Sequence, residues 1–168
     1  VPVIVPETNF TVDVDAMLAA VTPRTRMVFI ANPNNPTGTV LSGAQVRRLH
    51  AGLPPHVTLL LDEAYAEYAG TPWESGLALA RSAQNIVVTR TFSKIYGLAA
   101  MRIGWGYLPA AMAATINRIR YPFNVAAPAQ AAAAAALADE RFVRTARDHN
   151  DRWRPWLMRA LQELGLSV

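Results

Sequence analysis

Val57-Thr58-Leu59-Leu60-Leu61 runs directly into Asp62-Glu63-Ala64-Tyr65. The run is apolar without alternation, the pattern of a strand buried on both faces. Its last apolar residue is followed by a carboxylate. An unpaired buried carboxylate is costly, so Asp62 reads either as the cap of the next helix or as an anion that awaits a cation. The same arrangement recurs on both sides. Arg26-Met27-Val28-Phe29-Ile30-Ala31 ends in Asn32-Pro33-Asn34-Asn35-Pro36-Thr37-Gly38, and Asn85-Ile86-Val87-Val88-Thr89 is followed by Thr91-Phe92-Ser93-Lys94. Ile103–Leu108 is a fourth candidate strand and Val3–Val5 a short one. Helices lie between them. Asp13-Val14-Asp15 caps one over Ala16–Val21 that Thr22-Pro23 terminates, and Ser42 caps another over Ala44–Ala51 with Val46 and Leu49 toward a sheet. Strands apolar on both faces and separated by helices predict an α/β fold, a mostly parallel sheet flanked by helices. Ligands of such sheets sit beyond the C-terminal strand ends. Asn35, Asp62 and Lys94 all fall there.

Further along, Pro109-Ala110 opens a helix to about Arg120, Tyr121–Asn124 is a loop, and an Ala-rich helix follows. A longer helix starts near Glu140, and Pro155 either kinks or splits it. The reading divides the chain into a core, residues 1–138, and a helix leading onward, residues 139–168. The chain does not begin with Met and closes on Leu164-Gly165-Leu166-Ser167-Val168, which reads as a fragment of an incomplete domain.

At 168 residues and 52% hydrophobic, the chain can bury a sizeable core and is not of the disordered class. The net charge of +4 comes largely from arginines late in the chain, interleaved with acids, which describes a solvated helix face rather than a nucleic-acid patch. No signal peptide is expected, since Val1–Val5 is too short for an apolar core and lacks a basic flank, and the Ala-rich run is too short to span a bilayer. With no cysteine and no histidine at ligand spacing, no metal site is expected, and a cytoplasmic protein is.

Lys94 is the only lysine in the sequence. A lysine becomes a Schiff-base former when burial and neighbouring positive charge lower its pKa. Arg102 lies eight residues on, past a turn containing Gly97, a spacing that lets both reach one ligand from opposite ends. Asp62 could pair with a protonated pyridine nitrogen. Tyr65 shares its face if that segment turns helical, and its hydroxyl is either a donor to a phenolate or part of the packing. The prolines and glycine around Asn35 fix a turn that presents its amide to the same oxygen. Thr91, Ser93 and Arg102 offer hydroxyls and a guanidinium to a phosphate, although each hydroxyl is equally a local cap. An amine, a carboxylate, two donors and a phosphate set together fit pyridoxal phosphate.

The segments Asn32–Gly38, Asp62–Tyr65 and Ser93-Lys94-x-x-Gly97-Leu98-Ala99-x-x-Arg102-x-Gly104 resemble, in order and spacing, those of the fold-type I pyridoxal-phosphate aminotransferases, and Arg120–Val125 resembles the loop after the large-domain sheet of the histidinol-phosphate branch. The resemblance implies the large domain of the aspartate-aminotransferase fold. It implies Lys94 as the Schiff-base lysine and proton shuttle, and Asp62 as the partner of the pyridine nitrogen. Asn35 and Tyr65 would bind the phenolate, and Thr91, Ser93 and Arg102 the phosphate. It implies amino transfer between a small-molecule donor, L-histidinol phosphate, and the oxo acid 2-oxoglutarate, in a homodimer. The family's N-terminal segment and C-terminal small domain are not seen, so the piece alone is expected to be inactive. Three alternatives stay open: an aromatic-amino-acid aminotransferase or a phosphothreonine decarboxylase on the same scaffold, an aminotransferase-like effector domain of a transcription regulator, and an inert truncation.

Overall fold

A computed structural model describes residues 2–168 as two compact units, residues 2–91 with 104–124 and residues 92–103 with 125–168.

The first unit is built on a four-stranded sheet. Its strands are β3 (Met27–Ala31), β4 (Thr58–Asp62), β5 (Ile86–Thr91) and β6 (Gly104–Tyr107), adjacent in that order. The first three are parallel and β6 runs antiparallel to β5. The sheet is therefore mixed, mostly parallel as the sequence predicts, with one strand the pattern did not orient. The reason lies in the connection. Residues 92–103 contain no crossover helix, and Phe92 N–H donates back to the Ile103 carbonyl at 3.2 Å, so the chain returns alongside β5. Gly104 is needed for that approach, because a Cβ there would lie 2.6 Å from the Arg90 carbonyl oxygen.

Two other expectations are corrected. The strand expected at Val3–Val5 does not form. Pro2 and Pro6 flank it, Val3 and Ile4 are exposed, and a small hairpin forms instead from β1 (Glu7–Thr8) and β2 (Thr11–Val12). Nor does an unbroken apolar run mean burial on both faces. β3 buries Val28 and Ile30 on the face that joins the core and exposes Met27 and Phe29 on the opposite face.

The buried face is laid down in rungs by the register. Val28, Leu59 and Ile86 form one, and Ile30, Leu61 and Val88 the next. Helices α1 (Val14–Ala19) and α2 (Gly43–Gly52) supply Val14, Val46 and Leu49 to the same core, and the short α3 (Leu77–Ala80) supplies Ala80. Both long-range helices start where their caps dictate. Asp13 accepts from the backbone of Asp15 and Ala16, and Ser42 with Gln45 forms a reciprocal capping box. Pro109 precedes α4 (Ala110–Ile119).

The loop after β3 is clasped shut. Buried Asn32 donates through Nδ2 to the Leu41 carbonyl at 3.1 Å and accepts the Leu41 N–H at 2.9 Å. Its side chain thus replaces a strand partner across nine residues. Asn32→Ala is expected to leave that N–H and carbonyl unpaired and to cost about 2 kcal/mol or more. The exposed Asn35→Ala, in the same loop, should stay within about 0.5 kcal/mol of the parent. Urea unfolding of the two variants in the full-length protein checks the contrast.

In the second unit, α5 (Ala127–Ala138) buries Ala129 and Ala133, an i, i+4 stripe of small residues that permits close packing. Asp139 then caps α6 (Glu140–Glu163), which runs through Pro155 as one helix. Residues 92–103 form a compact turn in which Phe92 and Ile95 are buried and Leu98 N–H donates to the Phe92 carbonyl at 2.9 Å. Among the described residues, no helix is long and apolar enough to cross a membrane.

Candidate active site

The C-terminal ends of β3, β4 and β5 carry the first set of predicted residues. β3 leads into Asn35, whose Nδ2 donates to the Tyr65 hydroxyl at 2.9 Å. This pairs two residues thirty positions apart and places an amide and a phenol side by side. Tyr65 reaches Asn35 without a helix. Residues 63–65 form a turn and a single 3₁₀ turn follows at Ala66–Tyr68, so the shared helical face expected for Asp62 and Tyr65 does not exist. Asp62 closes β4, in register with Ala31 on one side and Thr89 on the other. Its Oδ1 accepts the Ala64 N–H at 3.1 Å, which is the local capping reading. Its Oδ2 takes no hydrogen bond from any described residue, so the carboxylate can cap and still receive a cation. Thr91 ends β5, opposite Gly104.

Ser93, Lys94 and Arg102 belong to the second unit. The turn after Lys94 is closed by Gly97 N–H donating to the Lys94 carbonyl at 2.9 Å, with Gly97 at φ +70°, where a glycine is favoured. Arg102 holds a left-handed backbone, φ 52° and ψ 49°, unusual for a non-glycine. Its Nη1 donates to the Ser93 hydroxyl at 3.3 Å and to the Ala99 carbonyl at 2.8 Å. A guanidinium and a hydroxyl are thereby brought together on a short turn. The expectation that burial desolvates Lys94 is not met, because its side chain is exposed.

Sequence reasoning missed a set of residues directly beneath Asp62. Glu63 is 1% exposed, and its Oε2 accepts from Arg90 Nη2 at 2.8 Å, Arg90 Nε at 3.1 Å and the Ser75 hydroxyl at 2.9 Å. Its Oε1 accepts the Gly76 N–H at 2.5 Å. A signal was present. Asn32, Glu63 and Arg90 each stand two residues beyond the last buried apolar residue of their strand, and so on the same face as it. No buried side-chain nitrogen or oxygen among the described residues lacks a hydrogen-bond partner.

Other features lie apart from these residues. A cavity of about 250 Å³ beside α2 and α3 is lined by Val46, Arg47, Glu74 and Leu79 among others and contains none of the seven predicted residues. At its edge the hydrogen bond from Arg47, and then its charge, hold the Glu74 carboxyl below its ordinary value, and Glu74 raises Arg47 in return. Both are solvent-exposed, and such a pair contributes little to stability. No cluster of three or more metal-ligating side chains occurs among the described residues.

The family model described as "Aminotransferase class I and II" matches residues 1–168. The chain belongs to this aminotransferase family. It is 57% identical over 163 residues to histidinol-phosphate aminotransferase 1 of Caulobacter vibrioides, covering 96% of this chain and 45% of that protein. It is 58% identical over 167 residues to the histidinol-phosphate aminotransferase of Sphingopyxis alaskensis, covering 98% and 45%. Among solved structures, the histidinol-phosphate aminotransferase of Sinorhizobium meliloti in complex with pyridoxal-5'-phosphate superposes with a TM-score of 0.93 at 33% identity, over 98% of this chain and 45% of that one. The chain spans about half the length of the curated relatives it matches. The mixed sheet flanked by helices is thus the aminotransferase fold, carried by part of its length.

Proposed function

We propose that this chain is the cofactor-binding part of a pyridoxal-phosphate-dependent transaminase that moves an amino group from L-histidinol phosphate to 2-oxoglutarate. The identity of 57% and 58% to two curated histidinol-phosphate aminotransferases carries the reading. It favours that donor over aromatic amino acids and over a decarboxylase or effector role.

The donor set suits the cofactor. The Asn35 amide and Tyr65 hydroxyl, 2.9 Å apart, can both donate to one phenolate oxygen. Asp62 has an uncommitted oxygen for a protonated ring nitrogen, and a carboxylate there keeps that nitrogen charged. Arg102 and Ser93 are already paired, as a phosphate oxygen would need them, and Thr91 adds a second hydroxyl. Pyridoxal phosphate, when bound, supplies an electron sink for negative charge on the substrate carbon. The chain's own work is to hold and to move protons. Lys94 Nζ takes the proton from the substrate carbon and returns it elsewhere as general base and acid. Asp62 holds the positive charge of the protonated ring nitrogen. Asn35 and Tyr65 fix the plane of the ring, and Arg102, Ser93 and Thr91 keep its far end from turning. The family resemblance further supports a cytoplasmic homodimer for the full-length protein.

The test uses the full-length protein that carries residues 1–168. Supplied with L-histidinol phosphate and 2-oxoglutarate, it should form glutamate with a kcat/KM at least about 10-fold above that with phenylalanine or tyrosine. Preference for the aromatic donors would replace this reading with the aromatic one, and carbon dioxide release from phosphothreonine would replace it with the decarboxylase.

A further inference from the structure

The buried face of the sheet ends in a polar rung, Asn32, Glu63 and Arg90, one residue on each of three neighbouring strands. Arg90 is its centre. It binds Glu63 through Nη2 and Nε and, through Nη1, Glu67 Oε1 at 3.2 Å. Its guanidinium carbon lies 6.0 Å from the ring centre of Trp73 and 5.7 Å from that of Trp105, so two indoles flank the cation. Trp73 Nε1 in turn donates to the Asn32 carbonyl at 3.0 Å, which extends the network to the base of the Asn35 loop.

The two carboxylates that Arg90 holds stand two residues before and two residues after Tyr65. Glu63 also follows Asp62 directly. Because side chains alternate along a strand, Asp62 faces the opposite side of the sheet from Glu63. One guanidinium therefore grips the segment 63–67 at both ends, while Asp62 faces the other side of the sheet and the Tyr65 hydroxyl is bound by Asn35. The planar fork of arginine suits this task, since it presents several donors in fixed directions, whereas a lysine ammonium is a point charge on a flexible stem.

We propose that Arg90, by binding Glu63 and Glu67 together, is a positioning residue that sets Asp62 and Tyr65 for the cofactor. This rests on the pyridoxal-phosphate reading above. Arg90 touches neither cofactor nor substrate in this role.

The experiment titrates pyridoxal phosphate into the full-length apoprotein and into Arg90→Lys and Glu67→Ala variants. It reads the Kd, the pH midpoint of the visible band of the bound cofactor, and the thermal midpoint of the apo form. Glu67→Ala leaves the Glu63–Arg90 pair in place, so it decides the matter if Arg90→Lys fails to fold. Loss of the grip should raise the Kd about 10-fold in Glu67→Ala, and further in Arg90→Lys, because small misplacements of binding groups are costly. It should also move the pH midpoint. Variants with the parent's Kd and pH midpoint, even if they melt earlier, would show a purely structural clamp and overturn the proposal. A parent protein that develops no visible band would instead sink the cofactor reading, and this inference with it.

Discussion

Replacing Lys94 with alanine in the full-length protein is expected to abolish covalent capture of pyridoxal phosphate and nearly all turnover. In the proposed reaction the amine is both the attachment point and the group that carries the proton. Lys94 is the one lysine of residues 1–168, so no neighbouring amine in this stretch can substitute for it. Loss of a positioned general base costs about 10²–10⁴-fold, and loss of the attachment point adds to that. The measurement is borohydride reduction of the cofactor-loaded protein followed by peptide mass analysis. The parent should retain one pyridoxyl group on the peptide containing Lys94, and the variant none. A label retained on another residue would refute the assignment of Lys94. The variant should fold normally, because Lys94 is exposed and the turn that carries it is held by backbone bonds, Gly97 N–H to the Lys94 carbonyl and Leu98 N–H to the Phe92 carbonyl.

The second large effect is expected from Asp62→Asn. The substitution keeps the shape and keeps an oxygen to accept the Ala64 N–H, now bound at 3.1 Å, so the turn after β4 should survive and the thermal midpoint should change little. What it removes is the charge. A hydrogen bond between charged partners is worth about 1.5–3 kcal/mol, so the affinity for pyridoxal phosphate should fall roughly 10–100-fold. Turnover should fall further, because an unprotonated ring nitrogen is a poorer sink for electrons. Asp62→Ala separates the two roles, since it loses the turn bond as well and should also lower stability. Equal cofactor affinity in the parent and Asp62→Asn would mean that Asp62 is only a strand-end cap, the other reading its sequence position allows.

Asn35, Asp62, Tyr65, Ser93 and Arg102 show how far a local pattern reaches. Each is a candidate because a short motif follows a strand, and motifs of this kind depend on residues within a few positions. The pairing of Ser93 with Arg102 follows from the turn between them. The pairing of Asn35 with Tyr65 does not, since it joins the ends of two strands. The expected helical face for Tyr65 was wrong for the same reason: the side chain is placed by its partner across the sheet and not by its own segment.

By itself, the sequence determined where the strands β3, β4 and β5 and the helices α1, α2 and α4 to α6 lie, which residues cap α1 and α2, and which chemical groups stand at the strand ends. Caps, breakers and apolar runs act over a turn or two of chain, so their reading needs no knowledge of the fold. Tertiary structure alone decided the antiparallel direction of β6, the hairpin in place of a strand at Val3–Val5, the exposed face of β3, and the alignment of Asn32, Glu63 and Arg90 into one polar rung. Those outcomes depend on register and on which surfaces find a partner. Hydrogen bonds between distant strands and the removal of apolar surface from water set both, and no local stretch of sequence contains either.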